Sequence, residues 1–130
     1  MTEQQWQTLL AVTSGQPVDT LPMGFIIDCP WLPAWAGIKT IDYFASEQQW
    51  FDINLKAVES FKDIMFLPGF WAEYGMCTEP SAFGAKCIWH PHEMPFAEKT
   101  LHKLSDIDDL AVPNPNTDGL CPFVLQRLTV

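Results

Sequence analysis

The sequence predicts an α/β protein, and three observations carry that expectation. Two short apolar runs, residues 21–27 and 62–67, have the length and composition of buried strands. Between them, residues 46–61 place apolar side chains at helical spacing. Strand, helix, strand over this distance is a βαβ unit, which requires a parallel pair and a right-handed crossover. With 130 residues, 48% of them hydrophobic and 18% charged, the chain has ample apolar surface to offset chain entropy, so disorder is excluded.

The elements follow in order. Residues 2–14 read as a helix: Thr2 caps it, Glu3 suits the first turn, and Trp6, Leu9, Leu10 and Val12 give a broad apolar face before Gly15 ends it. Residues 16–20 form a turn-rich connection into the first strand, and Asp28 stands directly after that buried run. Residues 29–39 are expected to be an aromatic, proline-containing loop, with a helical turn starting at residues 40–44. Ser46 and Gln49 fit a capping box for the helix that carries Trp50, Leu55, Val58 and Phe61.

After the second strand, Pro68-Gly69-Phe70 breaks the run and opens another aromatic loop through Trp71, Glu73 and Tyr74. Residues 86–90 and 95–99 form a two-stranded excursion. Ser105 and Asp108 bracket a short helical turn, residues 112–115 are extended, and Pro122 opens a final helix through Phe123, Val124, Leu125 and Leu128.

Composition limits the function classes. Seven Lys+Arg against 16 Asp+Glu give a net charge of −9, a field that repels phosphate and argues against nucleic acid and anionic membrane surfaces. No apolar run reaches the roughly 18 residues of a membrane span. The opening Met1-Thr2-Glu3-Gln4-Gln5 lacks the basic and apolar regions of a secretory leader, so the expected location is cytoplasmic. The four cysteines, Cys29, Cys77, Cys87 and Cys121, make no Cys-x-x-Cys pair and read as buried free thiols. Eleven Pro, six Trp and nine Phe make aromatic loops suited to packing against more protein than this chain supplies.

Several stretches together resemble the uroporphyrinogen decarboxylase superfamily, which includes the porphyrinogen decarboxylase and the corrinoid-dependent methyltransferases acting on methylcobamide and coenzyme M. They are Gly15-Gln16-Pro17-Val18-Asp19-Thr20-Leu21-Pro22, then Glu79-Pro80-Ser81-Ala82-Phe83-Gly84-Ala85-Lys86, then Leu104-Ser105-Asp106-Ile107-Asp108-Asp109-Leu110, and Val112-Pro113-Asn114-Pro115 with Asp118-Gly119-Leu120 and Pro122. The resemblance runs over nearly the whole chain. It implies that residues 1–130 are a single partial domain, the N-terminal part of a (β/α)8 TIM-type barrel: an opening helix, two parallel βα steps and a small β excursion. A complete barrel takes about 250 residues. The loops after the two strands would then lie on the face where barrel enzymes build their sites.

Two departures place the chain nearer the methyltransferase-like branch. The decarboxylase has an arginine-rich signature after its first strand, where this chain reads Asp28-Cys29-Pro30-Trp31-Leu32-Pro33; it has an aspartate after the second, where the first acid here is Glu73. The methyltransferases hold a zinc with a His-x-Cys pair and a later Cys in their C-terminal half, and no His-x-Cys occurs here.

The candidate site residues come from those loops. Asp28, at the end of a buried strand, can contact a ligand or orient a base; its plain structural role would be to cap loop amides. Glu73 and Tyr74 offer an acid and a phenol to a tetrapyrrole or methyl donor, against a plain role in loop packing. Trp31, Trp35, Phe70 and Trp71 can form a flat apolar wall for a corrinoid or a small methylated substrate, or else serve as core. Cys87, His90 and His92 are the nearest approach to a metal cluster, but in a strand the two histidines and Cys87 point to opposite faces, so no metal is expected. Asp106, Asp108 and Asp109 read as a solvated face.

The resemblance implies a carboxy-lyase or corrinoid-dependent methyltransferase, active in tetrapyrrole- or corrinoid-linked decarboxylation or methyl transfer as part of a full-length parent, with this portion inactive alone. A corrinoid or zinc belongs to the parent and not to this chain. The alternative is a non-catalytic module that dimerises or docks on a partner subunit and so covers its open strand edges.

Overall fold

The computed structural model describes residues 1–67 and 69–129; the strand-breaking Pro68 lies outside the described residues. The opening helix, α1 (Glu3–Thr13), forms where the capping signals place it. Thr2 accepts a hydrogen bond from the Gln5 amide and the Gln5 side chain answers to the Thr2 amide, a complete capping box. Its apolar face packs less than its pattern demands. No residue of α1 is buried, and Trp6 is 47% exposed. One long-range tether is the Gln5 side-chain Nε2 donating to the Lys62 carbonyl at 2.8 Å.

The first strand, β1 (Gly24–Phe25), is a fragment of the predicted run, and both of its residues are exposed. The expected buried strand over residues 21–27 is therefore corrected: Leu21 and Ile26 are 86% and 74% exposed. Apolar composition supplied the demand for burial, but nothing in the described chain lies over them. The run reaches only Ile27 and Asp28 before it enters the packed interior.

Residues 29–39 are also corrected, from a loop to a helix, α2 (Trp31–Ala36). Pro33 falls early enough in it for its missing amide to cost little, and Gly37 closes it in the left-handed conformation that a side chain disfavours. Helix α3 (Thr40–Ala45) follows. Ser46 then both ends α3, its amide bonding Asp42, and opens α4 (Glu47–Ser60), its hydroxyl accepting from Gln49 at 3.2 Å. The buried face of α4 is Trp50, Ile53, Asn54 and Ala57, an i, i+3, i+4, i+7 stripe.

Strand β2 (Met65–Phe66) is buried and pairs parallel with β1, in the register Gly24 to Met65 and Phe25 to Phe66. The Met65 and Leu67 amides donate to Met23 and Phe25 carbonyls at 2.9 and 2.8 Å. A short helix α5 (Thr78–Ala82) precedes the excursion, in which β3 (Cys87–Ile88) and β4 (Phe96–Ala97) pair antiparallel. A single 3-10 turn spans Leu104–Ile107; Asp106, rather than Ser105, caps it by accepting from the His102 and Lys103 amides.

The last helix, α6 (Cys121–Arg127), has Pro122 in its first turn. It packs on α5 through a polar joint: Ser81 donates to the Thr78 carbonyl at 2.7 Å and accepts from the Leu120 amide at 2.9 Å. Gly119 lies so close to Ser81 and Ala82 that a Cβ would collide with both, and its φ of +55° adds a second reason for glycine. The core lies around α3 and α4, where Leu32, Tyr43, Phe44, Trp50, Phe66 and Tyr74 pack together. Among the described residues no helix is long and apolar enough to cross a membrane.

Candidate functional site

The two parallel strands deliver Asp28 and Glu73 to one place. Asp28 follows β1 by three residues; Glu73 lies on the segment after β2. The two carboxylates have different surroundings. Burial pushes the Asp28 carboxyl up to about 6, the Cys29 amide and Arg127 charge pull it back, and the negative charge of Glu73 adds to the rise. Burial also raises Glu73, with Glu79 contributing. The Asp28 Oδ1 atom is buried and has no hydrogen-bond partner among the described residues.

Arg127 holds this place together, and sequence reasoning passed it over. It is 2% exposed, reaching inward from the last turn of α6. Its Nη1 donates to the Ala72 and Glu73 carbonyls at 3.3 and 3.4 Å, and its Nη2 to the Phe44 carbonyl at 3.1 Å. The guanidinium carbon lies 4.0 Å from the Tyr74 ring centre, 5.0 Å from Trp50 and 5.9 Å from Phe44. A planar, weakly hydrated cation is the group that can stack on aromatic faces and bond carbonyls at its edge. Arg127 thus stacks on the Tyr74 ring, bonds the Glu73 backbone and acts on Asp28 through its charge. The one sequence signal for Arg127 was a lone charge four residues after Phe123, on the face of a helix otherwise apolar.

A second polar layer lies beneath. Asn54, buried on α4, donates to the Tyr43 hydroxyl at 3.0 Å and to the Trp50 carbonyl at 2.8 Å. Burial, then the charge of Asp28, raises the Tyr43 phenol, so it stays protonated. Burial also pushes the Cys29 thiol up to about 12, which leaves it an unreactive neighbour. The signal for Asn54 was a polar residue in register with Trp50 on the buried stripe.

The four aromatics expected to form a single wall are divided between two clusters. Trp31 and Trp35 stack at 5.6 Å with 9° between planes, and both pack on Phe61. Phe70 stands edge-on to Trp50 at 5.9 Å and packs on Phe51. Trp71 accepts the Trp50 indole proton on its backbone carbonyl at 2.7 Å, while its own Nε1 is buried without a partner. Residues 50 and 61 are about 16 Å apart along α4 at 1.5 Å per residue, which keeps the two clusters separate. The arrangement does not fit one face of a corrinoid.

The described residues offer no group of three His, Cys, Asp or Glu that would hold a metal ion, and His90 stacks on Phe96 at 6.2 Å. They do not fit a zinc site. Chemically, the place after the first strand offers one carboxyl that burial raises to about 6, within the fields of Glu73 and of the Arg127 cation. Family models, curated proteins and solved structures give no match to this chain.

Proposed function

We propose that this chain is the opening section of a uroporphyrinogen decarboxylase-like barrel, serving tetrapyrrole- or corrinoid-linked decarboxylation or methyl transfer in a full-length protein. Asp28 carries the reading. An acid with a buried, unpartnered oxygen stands just past the carboxyl end of a parallel strand, where such folds place their chemistry. A carboxyl titrating at about 6 is suited to moving a proton near neutral pH. In decarboxylation it supplies the proton that takes up the electron pair left on carbon as CO2 departs. Glu73 and Tyr74 border the same ligand. The negative charges of Asp28 and Glu73 oppose a polycarboxylate substrate. Four free thiols accord with a reducing, cytoplasmic compartment.

The test is a titration of the chain with hydroxocobalamin and with a porphyrin, followed by absorbance and native mass spectrometry. Saturable binding that Asp28→Asn weakens at least about tenfold supports the reading; a fold retained with no binding of either compound overturns it.

A second reading rests on a separate observation, the exposure of both residues of β1 and of Leu21 and Ile26 beside it. A module with this open strand edge would dock on a partner subunit or a second copy. A discrete dimer by native mass spectrometry favours it, and a stable monomer at high concentration counts against it.

A further inference from the structure

A cavity of about 670 Å3 opens on the far side of the Arg127 cluster, between α3, the first turn of α4 and α6. Phe44, Tyr74, Trp89 and Phe123 form its walls. The rings are angled to one another: Phe44 meets Trp89 at 5.9 Å and 73°, and Tyr74 meets Phe123 at 6.2 Å and 63°. Phe44 and Tyr74 join the two pairs, at 5.7 Å and 31°. Rings set in this way turn their faces in several directions and enclose a box. A flat ligand would need two parallel faces; a compact, rounded group meets several faces at once.

Glu47 supplies the negative charge at the box, within the field of Arg127. It is the one charged lining residue, and its field reaches the Tyr74 phenol. Glu47 is the first residue of α4, where an acidic side chain suits the positive end of the helix dipole. The opposing charge is Arg127, behind Tyr74 and Phe44. Its Nη donors are bonded to three backbone carbonyls, and Asp28 lies within its field. The remaining polar lining group is Gln126. A primary ammonium brings three strongly hydrated donors, which Glu47, Gln126 and the Tyr74 hydroxyl would have to accept in fixed directions. An ammonium whose substituents are carbon brings none and leaves water at low cost. The net charge of −9 draws cations toward the surface.

We propose that this aromatic box binds a quaternary or fully alkylated ammonium group, with Trp89, Phe123, Tyr74 and Phe44 supplying ring faces and Glu47 the counter-charge. This site is separate from the strand-end carboxylates and does not depend on the barrel reading.

Choline and its neutral isostere 3,3-dimethyl-1-butanol discriminate the proposal, with binding followed by ligand-observed NMR. Choline is expected to bind saturably and about tenfold tighter than the isostere. Glu47→Gln, nearly isosteric at a half-buried position, should reduce that preference to about twofold, with circular dichroism unchanged. Phe123→Leu keeps apolar volume but removes a π face, and should weaken choline while leaving the isostere unaffected. Equal binding of the two compounds would overturn the proposal in favour of a merely apolar cavity, and so would the absence of saturable choline binding to the folded protein.

Discussion

Helices α1 and α4 carry apolar stripes of the same kind and meet opposite fates. Both start at a satisfied N-cap, and both place a tryptophan on the apolar face. Trp50 is 3% exposed, gripped by Phe70, Phe51 and Arg127, with its indole proton on the Trp71 carbonyl. Trp6 on α1 is half exposed and its helix buries nothing. An amphipathic pattern states that a face needs cover; it does not state that the same chain provides it. The strands repeat the lesson, since β2 is buried and its partner β1 is open. The region from α2 to Thr78, closed by α6, is a finished core. The region from α1 to β1 leaves its apolar side chains largely exposed.

Substitutions can break or sharpen this contrast. Trp50→Ala should have the largest effect, about 3–5 kcal/mol of lost stability in urea unfolding, because it leaves a cavity and an unpaired carbonyl. Arg127→Ala should cost about 3 kcal/mol, since three buried carbonyls lose their donor and α6 loses its clasp. Arg127→Lys restores the charge but not the planar fork, and should recover under half of that loss. If Arg127→Ala unfolds like wild type, the central position assigned to this residue is wrong.

Asn54→Ala should cost about 2 kcal/mol by leaving the Tyr43 hydroxyl and Trp50 carbonyl without their donor. Asp28 acts in the other direction. Its carboxyl holds its proton more tightly when folded, at about 6 against an ordinary 3.8. Between those values the folded state binds more protons than the unfolded one, so this group makes stability fall as pH rises through the window. Asp28→Asn should flatten that slope and, at about pH 7, stabilise the fold by on the order of 2 kcal/mol. Parallel unfolding curves for the two proteins from about pH 4 to about pH 7 would remove Asp28 as the cause.

Trp6→Ala should be the mildest, below about 1 kcal/mol in the isolated chain. In a complex that covers α1, the same change would weaken association far more than it weakens the fold. Analytical ultracentrifugation of the two tryptophan variants separates those effects.

Much of the fold was legible because local rules wrote it. Thr2 with Gln5, Ser46 with Gln49, and Pro122 at the start of α6 fixed helix starts through backbone donors that each side chain or ring accommodates. The parallel relation of β1 and β2 followed from the length of the intervening helical segment. Helix α2 was not legible, because Pro30, Pro33 and the two tryptophans weigh toward a loop, and only burial of Leu32 against α4 outweighs them. Asp28, Glu73 and Tyr74 were legible as polar residues after apolar runs. That Trp31 and Trp35 would part from Phe70 and Trp71 was not, since the two pairs pack at opposite ends of α4.

By itself, then, the sequence determined where helices α1, α4 and α6 begin, which pair of strands lies parallel, and which carboxylates follow them. These depend on side chains a few residues apart and on the chirality of the chain. The tertiary structure alone decided that Arg127 would reach back from α6 to Phe44, Ala72 and Glu73, and that four rings from distant segments would close a box beside Glu47. Contacts between residues dozens of positions apart arise only when whole elements pack, because the burial of one face fixes where every other side chain on that element points.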